Sequence, residues 1–277
     1  LPCTMLFSDI RGFTTLTESA DSHQLVAQLN EYLTEMVECV FRNNGTLDKF
    51  IGDAVMAVWG NAASLGSKQD AIDAVQTSLE MLDALEKLNQ RWRENNVQEL
   101  QIGIGLNHGE VIVGNMGSPR RQEFTVIGDA VNLASRLEGT TKQYQLPVIV
   151  GEEVAALVND HFILQKVDRI QVKGKTKPVQ SYTVLQPVSK PLDPKEKQGL
   201  EQYHQGIEFY HQGKFEEAIE IFHKSSGGLS RNRLPNLYIA YGFALFGSLP
   251  YSAIKLAAKF EIFISARLYF CRMYYFI

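Results

Sequence analysis

Five polar side chains in this sequence stand where chemistry could use them: Asp9, Lys49, Asp53, Asn132 and Arg136. Asp9 ends the apolar run Thr4–Ser8 and is followed by Ile10-Arg11-Gly12-Phe13-Thr14, the pattern of a buried strand that stops in a glycine turn and opens a helix. At such a place the backbone N–H groups can face an anion while the carboxylate holds a cation. An Asp there can equally cap the turn. Thr46–Gly60 reads T-L-D-K-F-I-G-D-A-V-M-A-V-W-G, in which the β-prone runs Leu47–Ile51 and Ala54–Trp59 flank a Gly52-Asp53 pair. That is the signature of a tight hairpin. Its turn carries Asp53 and the strand before it carries Lys49, more charge than packing alone calls for. Asn132 and Arg136, four residues apart, share one face of a helix predicted over Ala130–Gln143. The small residues Ala130, Ala134 and Ser135 beside them fit close approach to another surface or a ligand; simple solvation of the pair is the alternative.

The elements that must position these residues follow from periodicity. Leu25, Leu29, Leu33, Met36 and Val40 recur at helical spacing after the first strand. A polar loop, Asn61–Gln69, leads into a long helix whose stripe is Ala71, Val75, Leu79, Leu82, Leu85, Leu88 and Trp92. Leu100–Leu106 and Glu110–Val113 read as strands joined by a glycine-rich link containing Asn107, His108 and Gly109. Gly103, Gly105 and Gly109 have the spacing GxGxxxG and do not open a helix, so a dinucleotide-binding reading fails. Strands follow at Glu123–Val126, Pro147–Val150 and Phe162–Val172, a short helix at Glu152–Val158, then Val172-Lys173-Gly174-Lys175 and a last strand, Val179–Leu185. The order β-α-β-β-α-β predicts an α+β fold, a ferredoxin-like antiparallel sheet covered by helices.

Composition sets the outer bounds. With 277 residues and 45% hydrophobic content a sizeable core is expected. The net charge of -4 gives no bulk electrostatic reason to expect nucleic acid or an anionic membrane as partner. Cys3, Cys39 and Cys271 are odd in number and lack metal-ligand spacing, which argues for a reducing, cytoplasmic setting. The start at Leu1-Pro2 reads as cut from a longer chain, for which a larger sensor protein with a membrane attachment is one form, although no spanning segment is expected in this stretch. Pro187, Pro191 and Pro194 mark a linker at 187–196 after a first domain at 1–186. From 197 to 277 Gly206, Phe209, Tyr210, Gly213, Ala218 and Phe222 fall at offsets like those of a tetratricopeptide helix-turn-helix, with Asn236–Phe260 as a weaker second copy. Fewer than three repeats do not close a solenoid, so this segment is expected to be truncated. Phe260–Ile277 is apolar and aromatic but interrupted by Glu261, Arg267 and Arg272.

Phe7-Ser8-Asp9-Ile10-Arg11-Gly12-Phe13-Thr14, Lys49-Phe50-Ile51-Gly52-Asp53 and Thr125-Val126-Ile127-Gly128-Asp129-Ala130-Val131-Asn132-Leu133-Ala134-Ser135-Arg136 together resemble the class III adenylyl/guanylyl cyclase catalytic domain. The likeness spans Pro2 to Leu185. It is nearest the cyanobacterial-type branch that includes the soluble mammalian enzyme, because Thr125 stands where many relatives have Asp. The resemblance implies that Asp9 and Asp53 bind two divalent cations, Mg²⁺ or Mn²⁺. It further implies that Lys49 and Thr125 contact the adenine edge, that Asn132 orients the ribose, that Arg136 binds the phosphates in the transition state, and that Lys173 holds the triphosphate end. The backbone of Ile10, Gly12, Phe13 and Thr14 would line the phosphates. The implied reaction is cyclisation of ATP to 3′,5′-cyclic AMP and pyrophosphate, by attack of the ribose 3′-hydroxyl on the α-phosphate. The sites would lie at a head-to-tail homodimer interface, the aspartates from one chain and Lys49, Thr125, Asn132 and Arg136 from the other. The alternatives are a guanylyl cyclase, or an inactive cyclase-like module that dimerises or regulates the helical repeats, which could bind a protein partner.

Overall fold

In the computed structural model the described residues are 1–19, 21–170, 178–229 and 234–239. The chain divides into two compact units, Leu1–Val188 and a second beginning at Ser189. The first strand, β1 (Pro2–Ile10), is followed by α1 (Phe13–Ser19), α2 (Ser22–Arg42), β2 (Thr46–Ile51), β3 (Ala54–Trp59) and α3 (Ser67–Glu94). Then come β4 (Ile102–Glu110), β5 (Ile112–Ser118), β6 (Arg121–Ile127), α4 (Asp129–Tyr144), β7 (Val148–Gly151), α5 (Glu152–Val158), β8 (Phe162–Ile170) and β9 (Val179–Pro187). Seven strands form one sheet in the order β2-β3-β1-β4-β7-β9-β8, while β5 and β6 make a separate ribbon.

β1 lies inside the sheet, antiparallel to β3 on one side and to β4 on the other. Side chains alternate along it, so its two faces feed two cores. Leu6 and Ile10, with Val55, Ala57, Ile102 and Ile104, pack beneath α2 and α3, whose buried residues include Tyr32, Met36, Val75 and Met81. Cys3, Met5 and Phe7, with Met56 and Val58, face the opposite way, toward Ala134 of α4 and Val126 of β6. Asp21 caps α2, its carboxylate accepting from the N–H groups of His23 and Gln24, which fixes where that helix starts.

Two expectations need correction. The sheet is mixed, because β7 pairs with β4 in parallel, Ile104 opposite Val148 and Leu106 opposite Val150. A parallel neighbour needs a long crossover, and α4 supplies it, which a list of strands alone does not reveal. Asn107, His108 and Gly109 are not a link but the end of β4, registered on Met5, Thr4 and Cys3. Those glycines do structural work: a Cβ on Gly105 would fall 2.1 Å from the Glu138 N–H nitrogen, and one on Gly109 would fall 2.9 Å from Ala130 Cβ. Both therefore let α4 lie flush on the sheet.

In the second unit α6 (Pro194–His211) and α7 (Phe215–Gly228) form a helical hairpin. The stretch 187–196 contains the last residue of β9 and the first turn of α6, which opens with a capping box between Asp193 and Glu196. Gly206 packs under Phe222, where a Cβ would come within 2.6 Å of the ring. Tyr203, Tyr210, Phe222 and Tyr238 form an aromatic cluster within this unit. Most of the weaker second copy, and all of Phe260–Ile277, lie outside the described residues. No helix among the described residues is long and apolar enough to cross a membrane.

Candidate active site

The site is built on strand ends. The turn at Gly52-Asp53 has a positive φ only at its first central residue, +65° at Gly52, the type II′ pattern that matches strand twist. It projects beyond Ile51 and Ala54 and folds back toward the end of β1, where the Ile10 N–H donates to Asp53 Oδ2 at 3.3 Å. Asp9 sits beside that contact. Burial, then the charge of Asp53 and a shared hydrogen bond with it, hold the Asp9 carboxyl up at about 6. Directly behind lies Tyr32 of α2, fully buried, its hydroxyl 3.4 Å from Ser8 Oγ; burial pushes its phenol up.

A third carboxyl stands near the pair. Glu138 lies over Gly103, where a Cβ would come 3.0 Å from Glu138 Oε1. Gly103 is registered opposite Asp9, so the two positions share a sheet face. Burial, followed by the charge of Asp9, raises Glu138 to about 7, with Arg11 opposing the shift. Sequence reading passed over Glu138 because it stands two residues beyond Arg136, off the face that pattern singled out.

Lys49 and Thr125 are brought together at a second place, and the agent is a residue the sequence reading did not name. Asp48 lies between Leu47 and Lys49 at a β-bulge in β2. Its side chain is 1% exposed, and its Oδ2 accepts the Thr125 hydroxyl at 2.7 Å and lies 3.5 Å from Lys49 Nζ. Lys49 Nζ also meets Glu123 Oε2 at 3.3 Å, at a solvated rim. Thr125 itself is 6% exposed.

Asn132 is exposed on α4 and Arg136 is half-buried one turn on. Arg136 Nη1 is buried and finds no hydrogen-bond partner among the described residues. At the start of the phosphate-lining segment, Gly12 takes φ +69° and its carbonyl accepts from the Leu16 N–H at 3.1 Å, beginning α1 over Phe13 and Thr14. Arg11 turns away from this loop. Its Nη2 donates to the Leu146 carbonyl at 2.6 Å, tying the turn to the end of α4. Lys173 lies outside the described residues.

The acid pair fits a divalent cation. Two carboxyls facing each other, one held up at about 6 by burial and then by its neighbour's charge, are the arrangement that a cation between them would relieve. Among the described residues no group of three or more potential ligands gathers anywhere. Two carboxylates with remaining positions open suit Mg²⁺, which is commonly bound by one or two carboxylates together with substrate phosphates.

Fold and site together define a nucleotide-cyclising scaffold, and residues 2–186 match the family described as adenylate and guanylate cyclase catalytic domain, to which this chain belongs. Its particular relatives span both substrates. It is 37% identical over 186 residues to the terminal-differentiation specific adenylate cyclase of Dictyostelium discoideum, covering 66% of this chain and 8% of that protein. It is 36% identical over 188 residues to an adenylate cyclase of Anabaena cylindrica, covering 65% of this chain and 36% of that one. The chain thus spans about a third or less of the length of these curated relatives. Among solved structures, the adenylyl cyclase CyaB from P. aeruginosa superposes with a TM-score of 0.63 at 39% identity, covering 66% of this chain and 93% of that one. The guanylyl cyclase Cya2 gives 0.62 at 33% identity, covering 70% and 95%.

Proposed function

We propose that this chain carries an adenylyl cyclase active site that converts ATP to 3′,5′-cyclic AMP and pyrophosphate at the interface of a homodimer. The observation that carries this reading is the convergence of Asp9 and Asp53, on the end of β1 and the adjoining hairpin turn. Asp9 and Asp53 would hold two divalent cations, Mg²⁺ or Mn²⁺. When bound, these ions supply Lewis acidity at the attacking hydroxyl and charge neutralisation at the leaving pyrophosphate.

The chain's own residues do the rest. The backbone from Ile10 to Thr14 lines the phosphates and offers them the N–H groups of Gly12, Phe13 and Thr14, since the Ile10 N–H is donated to Asp53 Oδ2 and the Arg11 N–H to the Gln101 carbonyl. Asn132 hydrogen-bonds the ribose and sets the 3′-hydroxyl in line with the α-phosphorus. Arg136 neutralises charge gathering on the transferring phosphoryl oxygens, and its unpartnered Nη1 supports that role, since a buried guanidinium edge without an acceptor is costly until an anion arrives. Lys173 is assigned to the triphosphate end from the resemblance alone. Lys49 and Thr125 meet the base edge, where adenine offers an acceptor at N1 and a donor at N6.

GTP is the second reading, supported by the 33% identity to the guanylyl cyclase Cya2. The choice is tested by supplying ATP and GTP separately with Mg²⁺ or Mn²⁺ and quantifying cyclic product. Cyclic AMP at many times the rate of cyclic GMP is expected. A dimer that forms no cyclic nucleotide refutes the enzyme reading, and a dominant cyclic GMP product refutes the ATP assignment. For α6 and α7 the same proposal assigns a tetratricopeptide-like role in protein binding, and for the whole chain a cytoplasmic location.

A further inference from the structure

Asp48 has no role in the reading above, yet it is the most thoroughly buried carboxyl near the base-edge residues. Its side chain is 1% exposed, one oxygen is engaged by Thr125 and Lys49, and the other, Oδ1, is buried with no hydrogen-bond partner among the described residues. A buried carboxylate oxygen left without a donor costs stability. An apolar residue here would avoid that cost, so stability of the fold does not account for an acid. Its position is equally specific. The register of β2 on β3 runs Leu47 opposite Ala57 and then Lys49 opposite Met56, leaving Asp48 as the extra residue of a bulge. A bulge re-aims a side chain that a regular strand would point elsewhere. Here it delivers the carboxylate to Thr125 on β6.

We infer that Asp48 is a specificity-determining positioning residue, which fixes the direction of the Thr125 hydroxyl and thereby makes the site read adenine; the inference deepens the ATP reading and rests on it. A threonine hydroxyl has one proton to donate and two lone pairs that accept. Left free, it would serve adenine or guanine by rotating. A carboxylate only accepts, so at 2.7 Å from Asp48 Oδ2 the Thr125 proton is committed inward. What remains for the base is lone pairs. Adenine answers with the N6 amino donor, whereas guanine brings the O6 acceptor to the same place. Lys49, a donor only, is held in the same cluster at 3.5 Å from Asp48 Oδ2 and suits N1 of adenine, where guanine carries an N–H. One buried carboxylate thus sets both polarities of the edge: it consumes the only proton of Thr125 and steadies the ammonium of Lys49.

The test measures equilibrium binding of 3′-deoxy-ATP and 3′-deoxy-GTP, which lack the attacking hydroxyl, to the wild-type chain and to Asp48→Leu, Asp48→Asn, Thr125→Val and the double variant of Asp48→Leu with Thr125→Val. Thermal unfolding of each variant is recorded alongside. Asp48→Asn keeps an acceptor toward Thr125 and serves as the conservative control, while Asp48→Leu removes it and is expected to lower the ratio of ATP-analogue to GTP-analogue affinity by roughly tenfold or more, because the Thr125 proton is then free to turn outward. In the Thr125→Val background Asp48→Leu should move the ratio much less, through Lys49 alone. An unchanged ratio in Asp48→Leu, or a full effect of Asp48→Leu when position 125 is already valine, overturns the inference. If Asp48→Leu does not fold, Thr125→Ser and Thr125→Val decide: the serine should keep the ratio and the valine lose it, and equal loss in both is the contrary result. The wild-type ratio tests the ATP reading, while the change on substitution tests Asp48, so the two can fail separately; a chain that binds neither analogue overturns both.

Discussion

The proposed sharing of each active site between two chains has a quantitative consequence. Asp53→Ala removes one carboxylate of the acid pair, and Arg136→Ala removes the guanidinium on α4; each homodimer then has two defective sites. In a mixed dimer one site takes both defects, the alanine at 53 from one chain and the alanine at 136 from its partner. The other site takes Asp53 from the Arg136→Ala chain and Arg136 from the Asp53→Ala chain, and is whole. Random pairing of equal amounts yields half mixed dimers, each with one of two sites intact, so about a quarter of wild-type activity should return. Neither parent should approach that, since loss of such an arginine lowers turnover on the order of a thousandfold. The assay is cyclic AMP formation by differently tagged chains, co-expressed and purified through both tags in sequence; such pure mixed dimers should reach about half of wild-type activity per dimer. Recovery no greater than that of the parents, from mixed dimers whose composition is verified, refutes the sharing of sites.

Other outcomes follow from single contacts. Arg136→Ala should lower kcat far more than it raises KM, because the interaction grows as charge develops; equal effects on both would reduce Arg136 to a ground-state binder. Asp9 is raised from 3.8 to about 6 in the folded chain, so folding favours its protonated form, and the metal-free protein should lose stability as pH rises from about 4 to about 6. Asp53→Asn should flatten that slope and raise Tm at pH 7 without metal, which melting curves across this range would check; saturating Mg²⁺ should reduce the slope in the wild type. Gly105→Ala would place a methyl 2.1 Å from the Glu138 nitrogen, forcing α4 off the sheet. A loss of about 1–3 kcal/mol in unfolding free energy, with reduced turnover through displaced Asn132 and Arg136, is expected; wild-type values for both would show that the close approach is unimportant.

Much of this was legible in the residues because the signals are local. Gly52-Asp53 between two β-prone runs specifies the hairpin, and the four-residue spacing of Asn132 and Arg136 specifies a helix face. What could not be read depends on contacts between elements distant in the chain. Asp48 matters only because a bulge turns it toward a threonine 77 residues away, and a bulge leaves no mark in a six-residue strand. The spacing of the glycines at 103, 105 and 109 argues against a dinucleotide-binding turn but does not say what they pack against, which is α4, beginning twenty residues later than Gly109. The parallel pairing of β7 is likewise a matter of where the chain returns after a crossover.

The same glycine-lined contact bears on which acid pair Arg136 can serve. Gly103 and Gly105 face α4, and Leu137, Glu138 and Thr141 with Ala134 make up the side of the helix turned to the sheet and to Asp9. Arg136 precedes Glu138 by two residues, a rotation of about 200° around an α-helix, and Asn132 stands one turn from Arg136 on the same side. The Cα–Cβ bond of Arg136 therefore leaves α4 on the side away from the one that packs on Gly103 and Gly105. An arrangement in which Arg136 and Asn132 complete the acid pair of a second copy accords with that direction. Helix phase, set where three glycines in β4 let α4 lie close, therefore supports the proposed sharing of sites independently of the role proposed for any one side chain.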